Sequence, residues 1–135
     1  MDKVVTQKFK IAVIEDDEVM SKTLSEELRD AGFEVIQAFD GVEGLKLILS
    51  EKPDVILLDI VMPKMDGMTM LGKLRESHVY DHKVSVILLT NLNADDKIMR
   101  DVVQYEPSYY LVKSRYELGD VVEKVRECLR KDQAS

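Results

Sequence analysis

The run Val55-Ile56-Leu57-Leu58 has no polar break, and it ends abruptly on Asp59. Pro53 and Asp54 precede it, and Pro63 and the Asp66-Gly67 pair follow. A short unbroken apolar run bounded by turn residues reads as a strand buried on both faces. Such strands belong to parallel sheets covered by helices on either side. Open sheets of that kind bind their ligands outside the carboxyl ends of the strands. Asp59 therefore stands where chemistry is expected. The plainer reading of this residue alone is a strand-end cap for the next helix.

The rest of the chain repeats the same theme. After a polar lead-in, Met1 to Phe9, the stretch Lys10 to Ile14 reads as a first strand, followed by Glu15-Asp16-Asp17-Glu18. Asp16 or Asp17 is a candidate N-cap, and the acids favour the positive end of a helix. Met20, Leu24, Leu28 and Ala31 recur at helical spacing, and Gly32 suits the position just past a helix end. Glu34 to Ala38 reads as a second strand. Asp40-Gly41 opens a helix carrying Val42, Leu45, Ile48 and Leu49, closed by Pro53. After Asp66-Gly67 a helix carries Met70, Leu71 and Leu74 to about Glu76, and Ser77 to Lys83 is a polar loop. Val84 to Thr90 is a fourth strand, and a helix follows from about Ala94 to Gln104 with Ile98 and Val102. Tyr109 to Val112 is a fifth strand. Leu118, Val121, Val122, Val125 and Leu129 form the stripe of a last helix, leaving Lys131 to Ser135 as a tail.

Strand and helix thus alternate five times. The expected fold is α/β, a doubly wound five-stranded parallel sheet between two helix layers. Right-handed crossovers restrict the strand order, and the flavodoxin-like order 2-1-3-4-5 is the common one for five units. At 135 residues the chain reads as one domain over 1–135, with a core at about 10–130. A net charge of −7 argues against a broad nucleic-acid surface. A single cysteine, Cys128, rules out an internal disulfide and fits a reducing cytoplasm. No stretch is apolar enough to span a membrane, and no signal peptide opens the chain.

Placing the strand ends side by side gathers a constellation. The first strand delivers Glu15 and Asp16, the third Asp59, the fourth Thr90 and the fifth Lys113. Carboxylates crowded together repel, and a hard divalent cation relieves them. Mg²⁺ (or Mn²⁺) binds through a few carboxylates and shares its other positions with water and phosphate oxygens. Lysine pairs with phosphate as a point charge, and a threonine hydroxyl donates a further hydrogen bond. Each residue has a bland alternative: a helix cap, a structural hydroxyl, a solvated lysine. Their joint placement at successive strand ends points to phosphoryl transfer onto a carboxylate.

These residues carry a resemblance to the receiver domains of two-component response regulators. The matching segments are Ile11 through Glu18, Pro53 through Gly67, Val86 through Thr90, and Tyr110 through Lys113, so the likeness runs from about Lys10 to Leu129. The resemblance implies that Asp59 is the phosphoacceptor, charged by a sensor histidine kinase or a phosphotransfer protein. It implies that Glu15, Asp16, Asp59 and the backbone carbonyl of Val61 hold Mg²⁺. Thr90 matches the switch hydroxyl, Lys113 the phosphate-pairing lysine, and Tyr110 the switch aromatic. The face formed by the fourth helix, fifth strand and fifth helix would then meet a downstream target, an effector domain or a second copy. Such a chain is no enzyme beyond promoting its own phosphorylation and dephosphorylation.

Three departures from the family pattern stand out. Asn91 replaces a small residue, which narrows access to Asp59. Ser114 follows Lys113 where the family has proline in a cis peptide, so either a strained cis bond or a rearranged loop is expected. Glu106-Pro107-Ser108-Tyr109 replaces a Gly-Ala-x-Asp turn. A receiver-like docking module that needs no phosphate is the alternative these departures keep open. An aspartyl-phosphate phosphatase ranks low, because Val61 stands where that class carries a second acid. His78 and His82 read as solvated loop residues, and Met62, Met65, Met68 and Met70 as core packing. Tyr105, Tyr109, Tyr110 and Tyr116 cluster about the fifth strand. The chain is either a single-domain regulator or a receiver from a longer protein.

Overall fold

The computed structural model describes residues 8–60, 62, 64–80, 83–90, 109–112 and 117–134. Five strands, β1 (Lys10–Ile14), β2 (Glu34–Ala38), β3 (Val55–Asp59), β4 (Ser85–Thr90) and β5 (Tyr109–Val112), form one parallel sheet in the order 2-1-3-4-5. This is the expected order. Between the strands run α1 (Glu18–Asp30), α2 (Gly41–Glu51) and α3 (Gly67–Ser77), and a C-terminal helix (Leu118–Ala134) closes the chain. The helix expected over about 94–104 lies outside the described residues.

The strand order dictates the layers. The connection from β1 to β2 runs one way along the sheet, and those from β2 to β3 and from β3 to β4 run the other. With every crossover right-handed, α1 must cover one face while α2 and α3 cover the opposite one. The core accordingly divides in two. Ile11, Val13, Val55, Leu57, Ile87 and Leu89 pack under α1 and the C-terminal helix, whereas Ala12, Ile14, Ile56, Leu58, Val86 and Leu88 pack under α2 and α3. Alternate residues of one strand serve opposite layers, which is why the central strands lack polar breaks.

The helix ends follow their sequences. Asp17 caps α1, its carboxylate accepting from the amides of Val19 and Met20 at 3.0 and 3.1 Å. At the other end Gly32 adopts φ +99°, Gly32 N–H donates to Arg29 O, and Phe33 N–H donates to Leu28 O. That is a Schellman stop, which needs the left-handed residue. Asp40 and Asp66 cap α2 and α3 through single 2.8 Å bonds from Glu43 N–H and Thr69 N–H.

Three details differ from the sequence reading. Val42 does not face the core of α2; it is exposed, and Gly41, Gly44 and Ile48 supply the buried positions. A Cβ at Gly44 would come within 2.7 Å of the Ile14 side chain, so the missing side chains let α2 sit close to the sheet. The segment expected as a tail from Lys131 continues the C-terminal helix to Ala134. There Asp132 accepts a hydrogen bond from Ser85 Oγ at 3.1 Å, tying the last turn to the base of β4. β4 itself begins at Ser85, one residue later than expected.

Candidate functional site

The register of the sheet assembles the site. Ile14 pairs with Leu58 and Asp59 with Leu89. Glu15 and Asp16 therefore leave β1 just as Asp59 ends β3. Their carboxylate oxygens, one from each of Glu15, Asp16 and Asp59, all lie within 4.8 Å of one another. Glu15 is 0% exposed and Asp59 5%, while Asp16 is open to solvent. The acidic run after β1 divides its labour. Asp17 caps the helix, which leaves the Asp16 carboxylate for the cluster. Glu15 Oε2 accepts from Asp17 N–H at 3.2 Å, so the cap and the buried acid are braced against each other.

Thr90 ends β4, one residue past the partner of Asp59, and pairs with Val112 of β5. The backbone thus brings the ends of β1, β3, β4 and β5 to one edge, as the strand-end argument expected. Tyr110 pairs with Leu88 deeper in the sheet. The side chains of Thr90 and Tyr110 lie outside the described residues. So do Val61, Asn91, Lys113, the Lys113–Ser114 peptide, the Glu106–Ser108 turn, His82, Tyr105 and Tyr116.

The segment between β3 and α3 is tied down at several points. Ile60 N–H donates to Leu89 O at 3.2 Å and Gly67 N–H to Ile60 O at 2.7 Å. A Cβ on Gly67 would collide with the Asp59 carbonyl, so only glycine permits α3 to start against the end of β3. Gly41 plays the same part for the Met65 carbonyl. Ile60, Met62 and Met70 are buried, with Met65 and Met68 partly so, in keeping with a packing role for the methionines. His78 is exposed and ends α3 at φ +55°.

One contact of this segment had no warning in the sequence. Lys64 Nζ lies 3.5 Å from Asp40 Oδ2, across from the first turn of α2. The Glu43 amide holds the Asp40 carboxyl below its ordinary range; burial opposes this, and Lys64 adds to it. Lys64 also sits at φ +68°, a left-handed conformation that costs a residue with a side chain. Asp40 announced only a helix cap, and a lysine in a loop signals nothing until the fold places its partner.

A family model described as the response regulator receiver domain matches residues 11–126. The DNA-binding dual master transcriptional regulator RpaA of Synechocystis is 32% identical over 124 residues, covering 90% of this chain and 49% of the relative. The transcriptional regulatory protein PrrA of Mycobacterium tuberculosis is 35% identical over 132 residues, covering 97% of this chain and 54% of that protein. The chain thus spans about half the length of these curated relatives. Among solved structures, a Francisella response regulator receiver domain superposes with a TM-score of 0.83 at 26% identity, covering 93% of this chain and 99% of that one. A CheY-like receiver domain protein from Methanospirillum hungatei JF-1 gives 0.86 at 24% identity, with 95% and 98% covered, which supports the fold.

Proposed function

Because the chain belongs to the response regulator receiver domain family, we propose that it accepts a phosphoryl group on Asp59 and uses the charge to switch a partner-binding face. The observation that carries this reading is the convergence of Glu15, Asp16 and Asp59 within 4.8 Å at the carboxyl edge of the sheet.

Asp59 is the nucleophile. One carboxylate oxygen attacks the phosphorus of a histidine kinase's phosphohistidine. The new P–O bond forms as the P–N bond breaks, and the departing imidazole takes up a proton. The hard oxygen donors of Glu15, Asp16 and Asp59 suit Mg²⁺ in kind, and the Val61 carbonyl would complete the protein's share of the ligands. Bound there, Mg²⁺ supplies positive charge against both the acids and the incoming phosphoryl oxygens. Packing keeps Glu15 and Asp59 out of bulk water, so their positions are set before the donor arrives. Asp16 lies at the surface, open to an approaching donor.

The product carries about −1.5 to −2 charges on three acceptor oxygens at the end of β3, in place of the single charge of the carboxylate. Thr90 and Lys113 answer that charge, and Tyr110 follows as the switch aromatic. Moving a population from 1:99 to 99:1 takes about 5.5 kcal/mol of differential binding. Two or three charge-assisted hydrogen bonds supply much of it. The partners are a sensor histidine kinase or phosphotransfer protein on one side and an effector or second copy on the other, in the cytoplasm. Among the described residues no helix is long and apolar enough to cross a membrane.

The test is intact mass after incubation with acetyl phosphate, with and without Mg²⁺, for the native chain and for Asp59→Asn. One phosphoryl adduct is expected, dependent on Mg²⁺ and absent from the variant. A folded native chain that takes no adduct would overturn the reading in favour of a phosphate-independent docking module.

A further inference from the structure

We propose that Lys64 and Asp40 form a latch that positions the loop leaving Asp59, making Lys64 a positioning residue for Mg²⁺ binding. The inference rests on the phosphoacceptor reading above.

Three observations converge on it. The ion pair is 3.5 Å long and joins the loop to the start of α2, an element that carries none of the three clustered acids. Lys64 keeps a side chain at φ +68°, where glycine would be free of strain but would have no ammonium to offer Asp40. The backbones already touch beside the pair, with Gly41 leaving room for the Met65 carbonyl. The lysine adds a charged tie between the loop and α2 to the packing of Ile60, Met62 and Met65. The same loop leaves directly from Asp59, one of the three clustered acids, and is anchored at Ile60 and Gly67, so a latch at Lys64 bears on the position of that acid.

The alternative is that these two charges act on the metal only through space. The two ideas predict different signs. Acting at a distance, loss of the Lys64 charge would tighten Mg²⁺ binding and loss of the Asp40 charge would weaken it. A latch predicts weakening in both cases. Asp40→Asn suits the test because asparagine keeps the cap on the Glu43 amide.

The experiment is Mg²⁺ titration calorimetry on the full chain for wild type, Lys64→Met, Asp40→Asn, the double variant and Lys64→Arg, with thermal melts in EDTA alongside. Lys64→Met and Asp40→Asn should each weaken Mg²⁺ binding by about two- to fivefold, the scale of one exposed ion pair. The double variant should be no weaker than either single, and Lys64→Arg should bind as wild type. Melting in EDTA should hold within about 2 °C, which separates positioning from general stability. Tighter binding by Lys64→Met, multiplied losses in the double variant, or no change at all would overturn the latch while leaving the phosphoacceptor reading intact. A wild-type chain that binds no Mg²⁺ would overturn both.

Discussion

The two edges of the sheet are built on opposite electrostatic plans. At the amino edge, opposite charges meet. Lys10 Nζ lies 2.9 Å from Glu51 and 3.8 Å from Glu34, and Lys10 N–H donates to Asp54 at 2.8 Å. Tyr80 donates its hydroxyl to Pro53 O at 2.8 Å and Arg75 its guanidinium to Val84 O at 2.9 Å. At the carboxyl edge three like charges crowd together instead. Exposed apolar side chains also stand at this edge, Val19 and Val42 in the first turns of α1 and α2 and Phe39 just past the end of β2. One end of each strand is finished for stability. The other holds an arrangement that a ligand would improve, kept in place by close backbone contacts and by the Lys64–Asp40 pair.

That contrast can be broken most severely at Gly67. A methyl group there meets backbone at Asp59 and Ile60, neither of which can move aside cheaply. Gly67→Ala should cost about 3 kcal/mol or more, as overpacking against fixed atoms does. Urea denaturation measures it, and a loss below about 1 kcal/mol would show that the start of α3 is free to shift.

Removing one of the crowded acids tests the electrostatic half of the comparison. Asp16→Asn relieves repulsion, so in EDTA its melting temperature should rise by about 2–4 °C over wild type. With millimolar Mg²⁺ the order should reverse, because only the intact cluster gains stability from the ion. A variant that melts lower than wild type in EDTA would mean that the acids are already balanced within the protein.

The smallest effect belongs to the amino edge. Burial, with Asp54 nearby, raises the Tyr80 phenol well above its ordinary value near 10. The folded chain then keeps this proton when the unfolded chain releases it. Stability from this group is complete below about pH 10 and falls as the pH climbs past it. Tyr109 is raised as well, chiefly by its hydrogen bond to Glu127. Tyr80→Phe should therefore cost about 1 kcal/mol at neutral pH and soften, without removing, the alkaline decline. Denaturant midpoints at pH 8 and pH 10.5 read both effects.

Much of this molecule was legible before any coordinates. The apolar runs of β1, β3 and β4 announced strands buried on both faces, and alternation with helices implied the sheet order. Asp59 and the Glu15-Asp16 pair were placed at one edge by the same reasoning. Less legible was which acid after β1 does what. Asp16 and Asp17 are chemically identical, and only the turn into α1 assigns one to the amides and the other to the cluster. The inward face of α2 was misread for a similar reason. Val42 looks like a core residue, yet the close approach to Ile14 and Met65 reserves that face for Gly41 and Gly44.

The sequence by itself determined the architecture, because hydrophobic period and strand-end polarity are local properties that repeat along the chain. It also determined the chemical type of the site, since oxygen donors at successive strand ends can meet only at one edge. Tertiary structure alone decided how close the donors come, which glycines must stay glycine, and that Lys64 finds Asp40. Those are contacts between segments distant along the chain, set by how closely the helices approach the sheet, and no local pattern encodes that spacing.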